Sequence, residues 1–147
     1  MLVHAIMEPT TSFFAECLYF STSSLARTLS RMAEDAFARA GLSPSYAFVV
    51  VTVNRLPGIS PSAIARQLEM QPSTITRFLD KLEQKKLIDR KFDGRNSSIY
   101  PTEKSQEMNL MLEECWEALK EQYREELGLN MSKMLANNIS EANERLK

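Results

Sequence analysis

The sequence predicts a mainly α-helical chain with one small β-hairpin, and three observations carry that prediction. Apolar residues recur at helical spacing through most of the 147 positions. Three prolines, each preceded by a polar residue, stand where helices begin, because the missing proline N–H costs nothing in a first turn. One stretch, RKFDGRNSSIYPT at residues 90–102, breaks the pattern and crowds Arg90, Lys91 and Arg95 around an Asp93-Gly94 turn. A hairpin that only filled a core would not need three cations at its exposed end.

The elements follow in order. Residues 11–40 carry Phe14, Leu18, Leu25, Leu29, Met32 and Ala36 on one helical stripe. Residues 43–56 start at Ser43-Pro44 but hold Val49, Val50, Val51 and Val53, which favour strands. The Ser-Pro start and the lack of period-2 alternation lean toward a buried helix. Ser60-Pro61 and Gln71-Pro72 open helices over 60–69 and 72–86, joined by a tight turn at Met70-Gln71. Hairpin strands are expected near 88–92 and 98–100. A long helix over 102–127 aligns Met108, Leu112, Cys115, Leu119, Tyr123 and Leu127, and a last helix over 130–146 aligns Met134, Leu135, Ile139, Ala142 and Leu146.

Length bounds the chain to one domain, or to one compact domain with extra helices. The longest apolar run, YAFVVVTV, is far short of the ~20 residues that cross a bilayer, so no membrane partner is expected. The N-terminus lacks the basic flank, apolar stretch and small-residue site of a signal peptide. Cys17 and Cys115 are too far apart for metal-ligand spacing and make no disulfide framework, which suits a reducing cytoplasm. The four glycines never fall closer than seventeen residues apart, which excludes a Gly-rich phosphate loop. The one histidine, His4, sits near the N-terminus, and no nucleophile elbow or paired-Cys or paired-His motif appears. No catalytic residue, metal or cofactor is expected, and the chain reads as a non-enzyme.

Net charge is −1, yet its distribution is uneven. Residues 61–104 carry an excess of +3 and residues 105–147 an excess of −4, so an acidic tail hides a basic middle. Two short helices with a tight turn, followed by a basic hairpin, are the parts of a winged helix-turn-helix. The second helix of such a motif enters the DNA major groove with its first residues against base edges. Here Pro72, Ser73, Thr74, Thr76 and Arg77 would line that edge, while Ile75, Phe78, Leu79 and Leu82 face the core. Arg77 can make two bonds to a guanine. Lys81 and Lys85 fall where phosphate contacts set register. The hairpin would then be the wing, with Arg90, Lys91 and Arg95 facing DNA and Arg95 reaching a minor groove. A rival reading is a winged-helix module for protein contacts without DNA binding. A polar, basic second helix favours DNA.

At these residues the run from Ser43 to Thr102 resembles the MarR family (multiple antibiotic resistance regulators). SPSAIARQLEMQPSTITRFLDKLEQKKLIDR is similar to that family's two-helix reader with the start of its wing. DGRNSSIYPT is similar to its wing signature, an Asp-x-Arg turn closing on a Leu-Thr pair, except that Pro101 replaces the leucine. The resemblance implies a DNA-binding domain over 43–101, flanked by a helical dimerisation region of residues 1–42 and 102–147. It implies a helical 43–56, an obligate homodimer on a roughly palindromic operator in double-stranded DNA, a repressor role, and Asp93 as the partner that orients Arg95. It also implies a small aromatic or phenolic ligand, for which Phe13, Phe14, Tyr46, Phe48 and Trp116 are candidate walls. ECLYFSTSSLART has some similarity to the first helix of the hydroperoxide-sensing branch, which makes Cys17 a candidate sensor. Cys115 lies on an apolar stripe and reads as packing. The terminal stripes exceed what one reader can bury and so point to a dimer on their own terms.

Overall fold

The first helix is shorter than its apolar stripe predicts. The structure, a computed structural model that describes residues 10–147, begins α1 at Leu18 and ends it at Phe37, with a 3₁₀ turn over Ala38–Ala40. His4 lies outside the described residues. Residues 11–17 form turns instead of helix, and serine chemistry explains why. Ser12 Oγ accepts the Phe14 N–H at 3.1 Å and Ser21 Oγ donates to the Ala15 carbonyl at 2.7 Å. Such side-chain bonds offer the backbone an alternative to the helical ladder. Among the described residues, 10–32 belong to one compact unit and 33–147 to another.

In the second unit each polar-proline pair opens a helix, as expected: α2 (Pro44–Arg55), α3 (Pro61–Leu68) and α4 (Pro72–Gln84). Only Ser60 uses its hydroxyl as a cap, accepting the Ala63 N–H at 3.2 Å. The valine run is helical. Val49, Val50, Val51 and Val53 are all buried, and packing on every side of α2 outweighs their strand propensity. Each fully buried Val, Leu or Ile contributes about 1.5–3 kcal/mol of transfer free energy. Ile64 of α3 and Ile75, Leu79 and Leu82 of α4 complete this core with the hairpin's Ile88 and Ile99.

The hairpin strands are longer than predicted, β1 (Ile88–Asp93) and β2 (Asn96–Pro101), paired antiparallel from Ile88 with Pro101 to Asp93 with Asn96. Pro101 stays in register at the strand's end, where its lost N–H ends the ladder. The loop is the two residues Gly94-Arg95. Gly94 takes φ +62° and Arg95 does not turn positive, the combination of a type II′ turn. Ile59 adds a further bridge on the other side of β2, with the Ile99 N–H donating to its carbonyl at 2.9 Å. Next to it Gly58 (φ +88°) is fixed by space as well. A Cβ there would sit 3.3 Å from the Tyr100 hydroxyl.

The single helix expected over 102–127 is two, α5 (Glu103–Glu107) and α6 (Asn109–Leu127), broken at Met108. The cause is a side chain from elsewhere. Asn54 of α2 donates its amide to the Ser105 carbonyl at 3.0 Å and to Asn109 Oδ1 at 3.0 Å. An unbroken helix would give that carbonyl to the Asn109 N–H. Thr102 and Ser105 close a reciprocal capping box at the start of α5, and Ser105 is fully buried. The last helix, α7 (Leu129–Leu146), packs on α6 yet buries only Ser132. Among the described residues no single helix is long and apolar enough to cross a membrane. Residues 33–147 fold as a winged helix-turn-helix followed by the helix pair α6 and α7.

Candidate nucleic-acid interface

The second helix of the helix-turn-helix divides as its sequence predicts. Ile75, Leu79 and Leu82 are buried, and Phe78 stacks on Tyr46 with ring centroids 4.3 Å apart. The opposite face exposes Pro72, Ser73, Thr76, Arg77 and Lys81, with Thr74 half-buried beside them. Thr76 Oγ1 donates to the Pro72 carbonyl at 3.0 Å, which leaves its lone pairs outward as acceptors. Among the described residues Arg77, Lys81, Lys91 and Arg95 form no ion pair, whereas Arg39, Arg55, Arg90, Arg124 and Arg145 each have an acidic partner.

The wing requires two corrections. Arg90 does not face outward with the other cations. It shares its strand position with the buried Ile99, and its guanidinium turns back onto α4, 2.6 Å from Asp80 and 3.9 Å from Glu83. Its side chain is only 17% exposed. Asp93 makes no ion pair with Arg95, because the register places Asp93 opposite Asn96 and leaves Arg95 alone in the loop. Lys91 keeps an exposed place on the wing, its ammonium 4.6 Å from the centre of the Tyr100 ring.

Both ends of the reader are tied to other elements. At the turn after α3, Glu69 takes φ +52° and accepts from Lys147 at 2.8 Å and from Asn143 at 3.4 Å. The Lys147 ammonium holds the Glu69 carboxyl below the usual carboxylate range and is itself raised, by Glu144 first and then by Glu69. At the other end, Lys104 Nζ donates to the Lys85 carbonyl at 3.2 Å and Thr102 Oγ1 to the Lys86 carbonyl at 2.8 Å. These side chains satisfy the last carbonyls of α4.

A cleft of about 290 Å³ opens between α2, the end of α3 and α6. Phe48, Val51, Leu68 and Trp116 form apolar walls, and Arg55 stands at its side. Arg55 reaches both Glu113 carboxylate oxygens, at 2.8–3.1 Å, and lies 5.1 Å over the Trp116 ring. Phe48 and Trp116 are therefore where the sequence suggests, but Tyr46 is not. Two residues before Phe48 on a helix, it points to the opposite face and meets Phe78. Arg55 was missed, although its place one helical turn after Val51 was a usable signal. In the other unit, Cys17 is exposed at the start of α1, its carbonyl accepting the Ser21 N–H at 2.9 Å. Phe13 there is exposed, and Phe14 and Phe20 lie 5.7 Å apart, ring to ring.

Known proteins bear on this geometry. The family model described as MarR family matches residues 42–96. The HTH-type transcriptional repressor MdtR of Bacillus subtilis (strain 168) is 28% identical over 80 residues, 54% of this chain and 52% of MdtR. The chain thus aligns with about half the length of that relative. Among solved structures, the transcriptional repressor CouR bound to a 23-mer DNA duplex has a TM-score of 0.83 at 18% identity, over 93% of this chain and 99% of that one. CouR from Rhodococcus jostii RHA1 is also solved with p-coumaroyl-CoA, at a TM-score of 0.75 and 19% identity, over 88% and 94% of the two chains. Overoxidized AbfR bound to DNA gives 0.71 at 21%, over 91% and 95%. At such identities the likeness to solved chains is one of fold, while the family match lies on the reader itself. Residues 42–96, from the start of the reader through the turn of the wing, thus match the MarR family, on a winged helix-turn-helix fold that the solved regulators share.

Proposed function

We propose that this protein is a sequence-specific DNA-binding transcriptional repressor, a non-enzyme that grips a pseudo-palindromic operator as a homodimer. The observation that carries the reading is the set of cations without acidic partners. Arg77 and Lys81 on the exposed face of α4, with Lys91 and Arg95 on the wing, put four cations without an acidic partner on the two elements of the reader, where Arg90 alone is paired. Phosphates are the natural counter-charge for such a set. Residues 43–101 act as the DNA-binding domain, and 1–42 with 102–147 as the dimerisation region. The exposed Leu129, Met131, Met134 and Ile139 of α7 support the dimer.

Release follows from a small ligand or an oxidant. The cleft at Phe48 and Trp116 suits a small aromatic or phenolic molecule, and CouR's complex with p-coumaroyl-CoA supports ligand control by analogy. Cys17 is the candidate for oxidation to a sulfenic acid, and the overoxidized form of AbfR supports that arm.

Selection of bound fragments from genomic DNA tests the reading. One enriched pseudo-palindrome, bound with an affinity that falls steeply as salt rises, is the expected result. Retention of DNA without sequence enrichment, or none at all, overturns it. Retesting with phenolic acids, and with an organic hydroperoxide on wild type and Cys17→Ser, separates the two release routes. Equal loss in both proteins removes Cys17 from the mechanism.

A further inference from the structure

We propose that Arg90 is a positioning residue that locks the wing to the reading helix, so that Arg95 is presented at a fixed offset from Arg77. This rests on the DNA-binding reading above. Beyond Ile88 and Ile99 the hairpin has no buried residue, and positions 91–96 are all exposed. A two-stranded hairpin is marginal by itself in water, so the tip needs an anchor. Arg90 is the last residue of β1 to supply one, through Asp80 at 2.6 Å and Glu83 at 3.9 Å.

Three features set this contact apart from an ordinary surface ion pair. The guanidinium joins two elements, and its two acidic partners lie one turn apart on α4, which restricts rotation as well as distance. Its Nε is buried without a hydrogen-bond partner among the described residues, so the group is committed to the interior of the wing–helix junction. Asp80 and Glu83 are also the acids of a helix that otherwise offers Arg77 and Lys81 to a polyanion. Arg90 offsets their repulsion for phosphate as it holds the wing. The residue therefore contributes to binding through Arg95 and through the field around α4, without touching DNA.

The test is a double-mutant cycle on the full-length protein with its selected operator, joined to amide exchange of the free protein. Arg90→Ala should weaken binding by roughly tenfold, the scale of one lost groove contact, and Arg95→Ala by a similar factor. The double variant should be at most slightly weaker than Arg95→Ala, by the field contribution alone, because Arg90 acts chiefly by placing Arg95. Arg90→Ala should leave the major-groove consensus unchanged. In the free protein it and Asp80→Asn should speed amide exchange over residues 91–98 while α2 and α4 stay protected. Exchanging the pair (Asp80→Arg with Arg90→Asp) should restore wing protection. Multiplying losses in the double variant would show that Arg90 acts independently of Arg95 and overturn the proposal. Unchanged exchange in the wing overturns it too. If the wild type binds no DNA, the functional reading fails, and the wing lock stands or falls on exchange alone.

Discussion

The reader and the C-terminal helix pair use apolar residues in opposite ways. From Pro44 to Pro101 the large aliphatic side chains turn inward with the exception of Leu56, and Ile64, Ile75, Leu79, Leu82, Ile88 and Ile99 are all fully buried. Helix α7 is equally regular, yet Leu129, Met131, Met134, Ile139 and Leu146 remain exposed along it. One region satisfies its own pattern, and the other presents a face with no cover from residues 33–147. The same periodicity therefore marks a finished core in one place and, in the homodimer proposed above, half of an interface in the other. Only the reader should keep its stability when the protein is diluted.

The strongest way to break this contrast is to hollow out the reader. Leu79→Ala should cost about 2–5 kcal/mol in denaturant unfolding, by the same amount at every protein concentration. A cost below about 1 kcal/mol would show that the site collapses or that the core lies elsewhere. Next comes the open face. Met134→Glu with Ile139→Glu places carboxylates in the proposed seam and should give monomers by sedimentation at micromolar concentration. Operator affinity should then fall by roughly a hundredfold through lost bivalency, with the reader's amide protection intact. A variant that stays dimeric removes α7 from the interface.

Two smaller effects sharpen the reader's own account. Arg77→Ala should cost about 1–3 kcal/mol per half-site and relax the consensus at one base pair, whereas Lys81→Ala should weaken all sequences alike and reduce the salt slope. Unchanged affinity and consensus in Arg77→Ala would mean that α4 docks differently. The smallest is a gain. Lys86, just past the end of α4, takes φ +59°, a conformation that costs a side-chain-bearing residue strain. Lys86→Gly should stabilise the protein by about 0.4–1 kcal/mol, read as a shift in the denaturant midpoint at constant slope.

Much of this was legible in the sequence because it is local. Pro44, Pro61 and Pro72 mark helix starts through a property of one residue, and Asp93-Gly94 marks a turn through another. The apolar face of α4 follows from periodicity alone. What escaped depends on partners distant in sequence. The break at Met108 comes from Asn54, fifty-one residues before the Ser105 carbonyl it captures. Arg90 reads as one more cation of a basic wing until Asp80 is seen against it, ten residues away. Asp80 and Glu83, two acids one turn apart on a helix that carries as many cations, are the signal for it. The valine run of α2 was ambiguous by propensity, and only burial on all sides resolves it. At Ser12 and Ser21 the failure was local after all. An apolar stripe continued past the point where serine side chains take over the backbone's hydrogen bonds.

The hairpin's edges carry one more consequence. β2 is flanked on one side by β1 and, at Ile99, on the other by the bridge to Ile59, whereas β1 has an edge open along its whole length. An open edge is a template on which a second chain can add a strand, the first step toward fibrous aggregation. Here that edge reads Asp89, Arg90, Lys91, Phe92, Asp93, with charges at four of five positions. A strand arriving from another copy in antiparallel or parallel register would set these charges close to their equals and desolvate them. Phe92 is the gap in this guard, exposed and flanked by Lys91 and Asp93. The charges along this strand thus keep crowded copies of the protein from zipping together.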